Sequence, residues 1–523
     1  MSNTPPNNNY ESEFCGSLPI HQINQIQPYG VLVVIETATG NIIQVSENTA
    51  IVFGLGPREL VGSRFSDHIQ TQGMLLSGEI RGKLPELWTI KGRQFLALLH
   101  VKEPYIIAEI EAEPASPDRE RSFLSMFQEL KYSMTAVESA STTAAVCTAV
   151  VTELKRLSGF DKIMVCHFDE HWNGTVLAEV MEDGMESYMG FTFPASDIPK
   201  QARALYLKNP YRFIPDRDYT PVKLYPVINP VTRSFIDLSD CNLRGVVGVD
   251  IEYLKNMQVV ASMSTRILNG ERLWGLIACH HLTAKNLDYQ LCAVFEWMSH
   301  IVSARITNIQ HQEQQAKNAR LHDQYNRVIG NLFASNEWPQ SLLDPENGVR
   351  HLFGGGGVLV SLEGKFHTAG MVPSREGLED LLLWLHTQEL KKVFTTDSLS
   401  SLYEWATHHQ GVASGILVIP INWKRDEYVV VFRPEVIRVI NWGGNPDERI
   451  RFEAASAIAE AKDGENVPTQ QQHYHPRASF LQWQQKVSGT SLPWEAEEVA
   501  MAENLRSFIY EYTHETARKS YER

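Results

Sequence analysis

Two prolines bracket one acid in Phe193-Pro194-Ala195-Ser196-Asp197-Ile198-Pro199. Each proline fixes its own φ and restricts the residue before it, so the spacing predicts a stiff, extended frame over Ser196–Ile198. Beyond Pro199, Ala202, Leu205 and Tyr206 fall at helical spacing, with Arg203 on another face. An acid pinned this way is either the N-cap of that helix or a carboxylate aimed at a partner. Cys15 lies on a polar arm with little core to join, which favours a reactive thiol over a buried one. Cys279-His280-His281 offers ligand chemistry, but adjacent strand residues point to opposite faces. Cys279 and His281 therefore share one face and His280 takes the other. That alternation, and the lack of a partnering Cys pair, argue against a zinc site, and no metal is expected. The run Gly354-Gly355-Gly356-Gly357 lacks Gly-Lys-Ser/Thr and precedes a strand, so a phosphate loop is not expected.

These residues need elements to position them. Val31–Ile35 and Asn41–Val45, around a turn at Thr37–Gly40, read as a hairpin. With strands at Phe95–His100 and Tyr105–Ile110 and a short helix near Asn48–Phe53, they suggest a small α+β sensor domain. Pro114 and Pro117 mark a linker. A helical stretch from about Arg119 to Ser158 opens a second domain. Its strands are Lys162–Phe168, Val176–Met181, Val259–Leu268 and Leu273–His280, the last two joined by Asn269-Gly270. Tyr211–Asn242, with Pro215, Pro221, Pro226 and Pro230, reads as long and irregular, a kind of loop that is usually functional or disordered. Leu243-Arg244-Gly245 and a helix through Ile251–Met257 follow. Leu287, Leu291, Val294, Met298 and Ile301, then Val302, Ile306 and Ile309, form the apolar stripe of a long helix suited equally to a core or a dimer face. Gln310–Asn326 is polar all round, as in a helix bridging domains. In a third domain, Val358–Leu362, Ile416–Ile421 and Tyr428–Arg433 read as strands. Val436–Trp442 alternates, Arg451–Lys462 fits helix or strand, and Ser491, Pro493 and Glu495 start a final helix.

The 523 residues suggest several domains, and 43% hydrophobic with 21% charged residues is an ordinary globular mixture. A formal net charge of -15 speaks against nucleic acid or anionic membrane as a partner. No apolar run approaches the ~20 residues of a membrane helix, and Met1–Phe14 is unlike a signal peptide. The six scattered cysteines do not form a disulfide framework, so a cytoplasmic, reduced protein is expected.

Several motifs in a fixed order then carry a resemblance. They are Cys15 ahead of Pro19-Ile20-His21, Ile26-Gln27-Pro28, Ala195-Ser196-Asp197-Ile198-Pro199, Trp274-Gly275-Leu276-Ile277-Ala278-Cys279-His280-His281, Trp442-Gly443-Gly444 and Pro476-Arg477-Ala478-Ser479-Phe480. Together they resemble the photosensory core of bacterial phytochromes over essentially the whole chain after the first dozen residues. The resemblance implies three tandem α+β sensor domains joined by long helices. These are an N-terminal arm and PAS domain (1–118), a GAF domain (119–315) and a PHY domain (316–523). It also implies a figure-of-eight knot at the N-terminal arm and a PHY tongue hairpin over about residues 433–490. The implied activity is red/far-red light reception through biliverdin IXα, a linear tetrapyrrole tethered by a thioether to Cys15. A thiolate is a good nucleophile toward a conjugated vinyl group.

By the same resemblance, Arg212 and Arg244 clamp one propionate, where each Arg could otherwise be an ordinary surface charge. Ser262 and Ser264, on one strand face, meet the other propionate. Tyr206, Phe193, Ile198, Pro199 and Tyr253 line the pocket, His280 lies near the D-ring carbonyl, and the Asp197 carbonyl meets the pyrrole N–H groups. In the tongue, Arg477 pairs with the Asp197 carboxylate in one state and Ser479 replaces it after a strand-to-helix change. Trp442, Pro476, Phe480 and Trp483 pack the tongue. Four positions depart from the family pattern: Asp250 for a usual His, Cys166 for an aromatic, Val247 for Ser and Tyr29 for His. Asp250 is expected to alter the photocycle or its pH behaviour, and Cys166 to loosen packing and speed thermal reversion. A second adduct at Cys166 is a minor alternative.

The implied partners are the bilin, a second copy through the long helices, and an output module such as a histidine kinase with its response regulator. The chain itself carries no phosphoacceptor helix, ATP lid or cyclase signature, so it is not expected to be an enzyme. A competing reading is a GAF/PAS sensor of a cyclic-nucleotide-like small ligand, which would need neither Cys15 nor the tongue motifs.

Overall fold

The computed structural model describes residues 20–71, 83–113, 119–334, 337–446, 451–454, 472–475 and 479–521. Two compact units result. One holds the described residues up to Ile309 together with Asn441–Trp483, and the other holds Gln310–Ile440 and Gln484 onward. Cys15, Pro476 and Arg477 lie outside the described residues. No described helix is long and apolar enough to cross a membrane.

The first unit contains two sheets. One runs in the order Gln25–Ile26, Val222–Tyr225, Ile42–Ser46, Gly30–Glu36, Tyr105–Glu111, Arg93–Lys102, Lys83–Ile90 and Gln70–Thr71. Its central strand is apolar without alternation because both faces are covered. Val31, Val33 and Ile35 face one core with Trp88 and Phe95, while Leu32 and Val34 face another built from Leu224, Ile236, Leu238, Cys241 and Leu243. The segment expected to be irregular therefore contributes the strands Tyr211–Ile214 and Val222–Tyr225 and packs on this sheet. Its prolines break it into short pieces rather than leaving it loose. Residues 20–27 run between two of its limbs. Gln25 and Ile26 pair with Lys223 and Val222 on one side. On the other side Gln27 N donates to Leu243 O and Gly245 N to Gln25 O.

The second sheet follows the order Tyr211–Ile214, Ala261–Asn269, Arg272–His281, Lys162–Phe168, Gly174–Met181 and Thr192–Phe193, then Arg438–Gly443 and Gln482–Val487. One face is closed by helices. The stretch expected as continuous helix is split into Arg119–Ser139 and Thr143–Ser158, because Thr142 caps the second with its side chain accepting from Ala145 N. Val146, Val150 and Leu154 pack with Val294, Met298, Val302, Ile306 and Ile309 of the 46-residue helix Tyr289–Ala334 onto Ile163, Val165, Met263 and Cys279. That apolar stripe is thus spent on the core, while Trp297 on the outer side is 56% exposed. The opposite sheet face is left for the site.

In the other unit, the sheet order is Lys365–Gly370, Gly357–Leu362, Glu427–Arg433, Gly415–Asn422 and Phe394–Thr396. Arg375–Thr387, capped by Ser374, covers one face, and the final helix Ala496–Tyr521 packs Met501, Leu505 and Ile509 on the other with Val328 and Leu332. Gly357 is required by close approach, since a Cβ there would lie 1.9 Å from Met371 O. That steric demand, not phosphate binding, accounts for a glycine there. The first unit also holds a small two-stranded sheet within Asn441–Trp483, where Arg451–Ala454 pairs with Gln472–His475, which settles the helix-or-strand question for those four residues.

Candidate functional site

Register across the second sheet builds the floor of the site. Arg212 pairs with Ser264, Ser264 with Ala278, Ala278 with Met164 and Met164 with Glu179. The next rung is Ile214, Ser262, His280 and Lys162. Directly opposed residues share a face, so Arg212, Ser262, Ser264 and His280 all lie on the side away from the helical core. Cys279 is buried in that core and His281 bonds Asp161 at 2.8 Å, in keeping with the alternation read from sequence.

Above this floor sits the proline-bracketed motif. Ala195–Asp197 forms a 3-10 turn, with Asp197 N donating to Pro194 O, instead of the extended frame expected. The two prolines constrain only themselves and the residue before each, Phe193 and Ile198, so a single turn at Ala195–Asp197 fits between them. Pro199 is the N-cap of Lys200–Lys208, so Asp197 does not cap this helix. Its Oδ2 accepts from the Tyr253 hydroxyl at 3.1 Å. Arg203, set aside in the sequence as a residue of another face, is the clamp. It is buried, donates to Ile198 O at 2.7 Å and Ala195 O at 3.5 Å, and stacks 4.5 Å from the Trp172 ring. Nothing in its spacing signals this role, because its partners are backbone carbonyls. Replacing Arg203 with Leu is expected to cost about 2–4 kcal/mol from the lost charged hydrogen bonds and ring contact. A fall of several degrees in Tm checks it.

Residues expected to form the tongue pack at one end. Phe480 is buried with Met164, Val176 and Tyr188, and meets the Tyr253 ring edge-on at 5.3 Å. Trp442 is buried and pairs in parallel with Thr192, while Gly443 lies against Phe193, whose ring a Cβ there would meet at 2.6 Å. Ser479 accepts from Leu481 N, and Trp483 is half-buried.

Cations gather at the other end. Arg212 donates to Arg244 O at 2.6 Å and Gly245 O at 2.7 Å, so its fork is committed to backbone rather than left free as expected. Arg244 Nη1 donates to Ile20 O at 2.9 Å, and its buried Nε finds no hydrogen-bond partner among the described residues. Burial, and then the Arg212 charge, push the Arg244 guanidinium down to about 9, against the pull of Asp250. Asp250, on the helix Gly248–Asn256, has its surface open although protein surrounds it closely. Those two properties coexist for a carboxylate lining a hollow. Burial raises its pKa while Arg212 and Arg244 lower it, and burial wins. Tyr206 hydrogen-bonds Ser264 beside them. Val247, at the N-cap of the Asp250 helix, supplies no side-chain cap.

Cys166 packs against Gly174, where a Cβ would lie 2.5 Å from its Sγ. Burial, with the Asp197 charge, pushes its thiol up to about 12. Burial and then Lys162 take His280 down to about 3. Tyr29 bonds Asn242 O at 3.0 Å. A separate buried cluster, His100, Glu109 and Cys241, has metal-ligand chemistry. Its carboxylate is already held by His100 at 2.6 Å and Leu243 N at 2.5 Å. The charges of Lys83 and Lys102 bear on Cys241, so it reads as a pin for the 241–245 segment.

Comparison with known proteins adds three family matches: a PAS fold over residues 15–113, a GAF domain over 142–306 and a phytochrome region over 321–518. The chain is similar to cyanobacterial phytochrome B of Nostoc sp., at 33% identity over 95% of this chain and 65% of the relative. It is similar to the bacteriophytochrome of Pseudomonas aeruginosa, at 30% identity over 95% of this chain and 66% of the relative. It thus spans just under two thirds of these curated relatives. Among solved structures, the phytochrome photosensory core module of Stigmatella aurantiaca aligns with a TM-score of 0.76 and 30% identity, covering 96% of this chain and 98% of that one. A bacteriophytochrome from R. palustris aligns with a TM-score of 0.78 and 29% identity, covering 94% and 97%.

Proposed function

The chain belongs to the phytochrome family, with PAS, GAF and phytochrome regions in tandem, and on that footing we propose that it is a red/far-red light photoreceptor carrying covalent biliverdin IXα. The observation that supports this best is the cation end of the cavity. A buried guanidinium with an unpartnered Nε sits beside an open carboxylate, at the edge of a floor bearing Ser262, Ser264 and His280. A long, planar dicarboxylate with a cationic centre matches that pattern of charge.

When bound, the pigment supplies visible absorption and rotation about a methine double bond. The residues of the chain do the rest. Cys15 tethers from the arm. Arg244 takes one propionate, with Arg212 holding its backbone in place. Ser262 and Ser264 take the other, Tyr206 bonding Ser264. Phe193, Ile198, Pro199, Tyr253 and Cys166 line the walls, and His280 meets the far carbonyl. The Asp197 backbone would face the pyrrole N–H groups, and its carboxylate, which accepts from Tyr253, would be the group that Arg477 or Ser479 of the tongue engages. A small-ligand GAF sensor would have no use for Phe480 and Trp442 in the same unit as this pocket. Residues 1–118, 119–315 and 316–523 are the proposed arm-plus-PAS, GAF and PHY domains. A homodimer through the long helices, a kinase output with its response regulator, and a cytoplasmic setting complete the reading.

Asp250 gives the reading its pH dependence. Its carboxyl titrates above the ordinary carboxylate range, so it is charged on the alkaline side and neutral on the acid side of that raised value. The charged form serves as counter-ion to a protonated pigment. Absorption of the loaded protein is therefore expected to step at a pH above the ordinary carboxylate range, and Asp250→His to move the step toward about pH 6.5. Superimposable titration curves would remove this role. The reading itself is tested by adding biliverdin to the purified chain. A coloured complex that survives denaturation is expected, and a colourless protein contradicts it.

A further inference from the structure

Lys162 is an unexpected occupant of a sheet face. Its side chain is 2% exposed and that of Glu179, on the neighbouring strand, 4%. Charges buried this far occur almost only in pairs. Lys162 Nζ lies 2.8 Å from Glu179 Oε1, donates to Glu186 O at 2.6 Å and sits 3.5 Å from the centroid of the Tyr188 ring. Glu179 also accepts from Ser187 Oγ at 2.6 Å and Tyr188 N at 3.0 Å. Every outward bond of the pair thus ends on residues 186–188. Tyr188 in turn meets Phe193 edge-on at 5.7 Å and joins the cluster that contains Phe480. On its other side, Lys162 is directly opposite His280 in register. An apolar pair would fill this space without the cost of desolvating two charges, so the pair is better explained by what it orients.

We propose that Lys162 and Glu179 are positioning residues of the pigment cavity: they tie the Glu186–Tyr188 backbone down as its wall and set opposing charges beside the His280 ring. The identity of what His280 faces rests on the bilin reading, but the wall and the charge around the ring do not. The charges bearing on His280 are Lys162, which opposes protonation, and Glu179, which favours it. Tyr188, the titratable group of the wall, holds its proton up to about 12, chiefly through burial. Burial works against charge at both partners. It prevails at Lys162, whereas hydrogen bonds from Lys162, Ser187 and the Tyr188 amide prevail at Glu179. The pair is therefore anchored from the carboxylate side, where the wall attaches.

The two charges make opposite predictions, which loss of packing cannot imitate. The experiment follows the His280 ring nitrogens by NMR from pH 4 to 8 in the full chain before pigment is added, with His280→Gln to assign the signal. In the parent protein, His280 stays neutral across this range. Lys162→Met leaves Glu179 unopposed, so protonation of the ring should become visible at the acid end of this range, a rise of ~1 pH unit or more. Lys162→Arg, which keeps the charge, should behave as the parent does, and Glu179→Gln should show no protonation above pH 4. A ring that shows no protonation down to pH 4 in Lys162→Met, or that protonates above pH 4 in both Lys162→Met and Glu179→Gln, overturns the proposal. Amide exchange provides a second readout that does not depend on the Lys162 variant folding. The Tyr188 amide should exchange ~10-fold or more faster in Glu179→Gln, from the loss of a charged hydrogen bond. Unchanged exchange overturns the tether. Both measurements omit pigment, so their failure is separate from any failure to bind biliverdin.

Discussion

Changing Cys15 to Ser is expected to abolish covalent attachment of biliverdin outright, while Cys166→Ser leaves it intact. The reason is thiolate supply. An ordinary thiol with a pKa of about 8.5 is roughly 3% ionised at pH 7. Cys147, Cys241, Cys279 and Cys292 are buried, and burial raises the pKa of every one of them. Cys166, the only cysteine among the described residues on the cavity side of its strand, is held at about 12. At that value its thiolate fraction at pH 7 is about 10⁻⁵, some three orders of magnitude below the ordinary thiol. The intact mass of denatured, pigment-loaded protein measures this. The parent and Cys166→Ser should gain one pigment, and Cys15→Ser none. An adduct persisting in Cys15→Ser would assign attachment to another sulfur.

Arg244→Met should weaken pigment binding by roughly 10–100-fold, measured without the tether in a Cys15→Ser background. Two charge-assisted bonds to a propionate contribute about 1.5–3 kcal/mol each in a site of this kind, and each 1.4 kcal/mol is tenfold in affinity. The effect has a signature. Without pigment, Arg244 bears a burial penalty and the repulsion of Arg212, offset by Asp250 and one bond to Ile20 O. Its removal should therefore change the Tm of the pigment-free protein little, whereas a purely structural arginine would lower Tm with or without pigment. The pH profile has a definite sign. Arg244 is cationic below about 9 and loses its charge as pH rises through that value. Affinity of the parent should thus decline above about pH 9, with the Arg244→Met variant flat there. A Tm loss without an affinity loss would reassign Arg244 to structure.

Much of the fold was legible in residue spacing, and the exceptions have physical causes. The hairpin at Asn269-Gly270 and the face assignments of Cys279, His280 and His281 follow from period-two alternation, which long-range packing rarely overrides. The apolar stripe of the long helix left two readings open because periodicity records a buried face without naming its partner. Tyr211–Asn242 read as irregular because its prolines conceal two short strands whose partners lie far away in sequence. At the site, Asp197, Trp442 and Phe480 were flagged through motifs. Arg203 was missed because it acts on backbone carbonyls, which leave no pattern in side-chain types, and Lys162 because its partner Glu179 lies on another strand with no fixed spacing from it. Asp250 was flagged by its residue type alone. That its charge bears on Arg244 and Arg212 required the placement of the Gly248–Asn256 helix.

The most direct test is a light-minus-dark absorption difference spectrum of the biliverdin-loaded chain, recorded after red and then after far-red illumination. Two bands of opposite sign, in the red and the far-red, that reverse when the illumination is exchanged are the expected result. A coloured protein whose spectrum does not respond to either light would contradict the assignment of this cavity to photoreception.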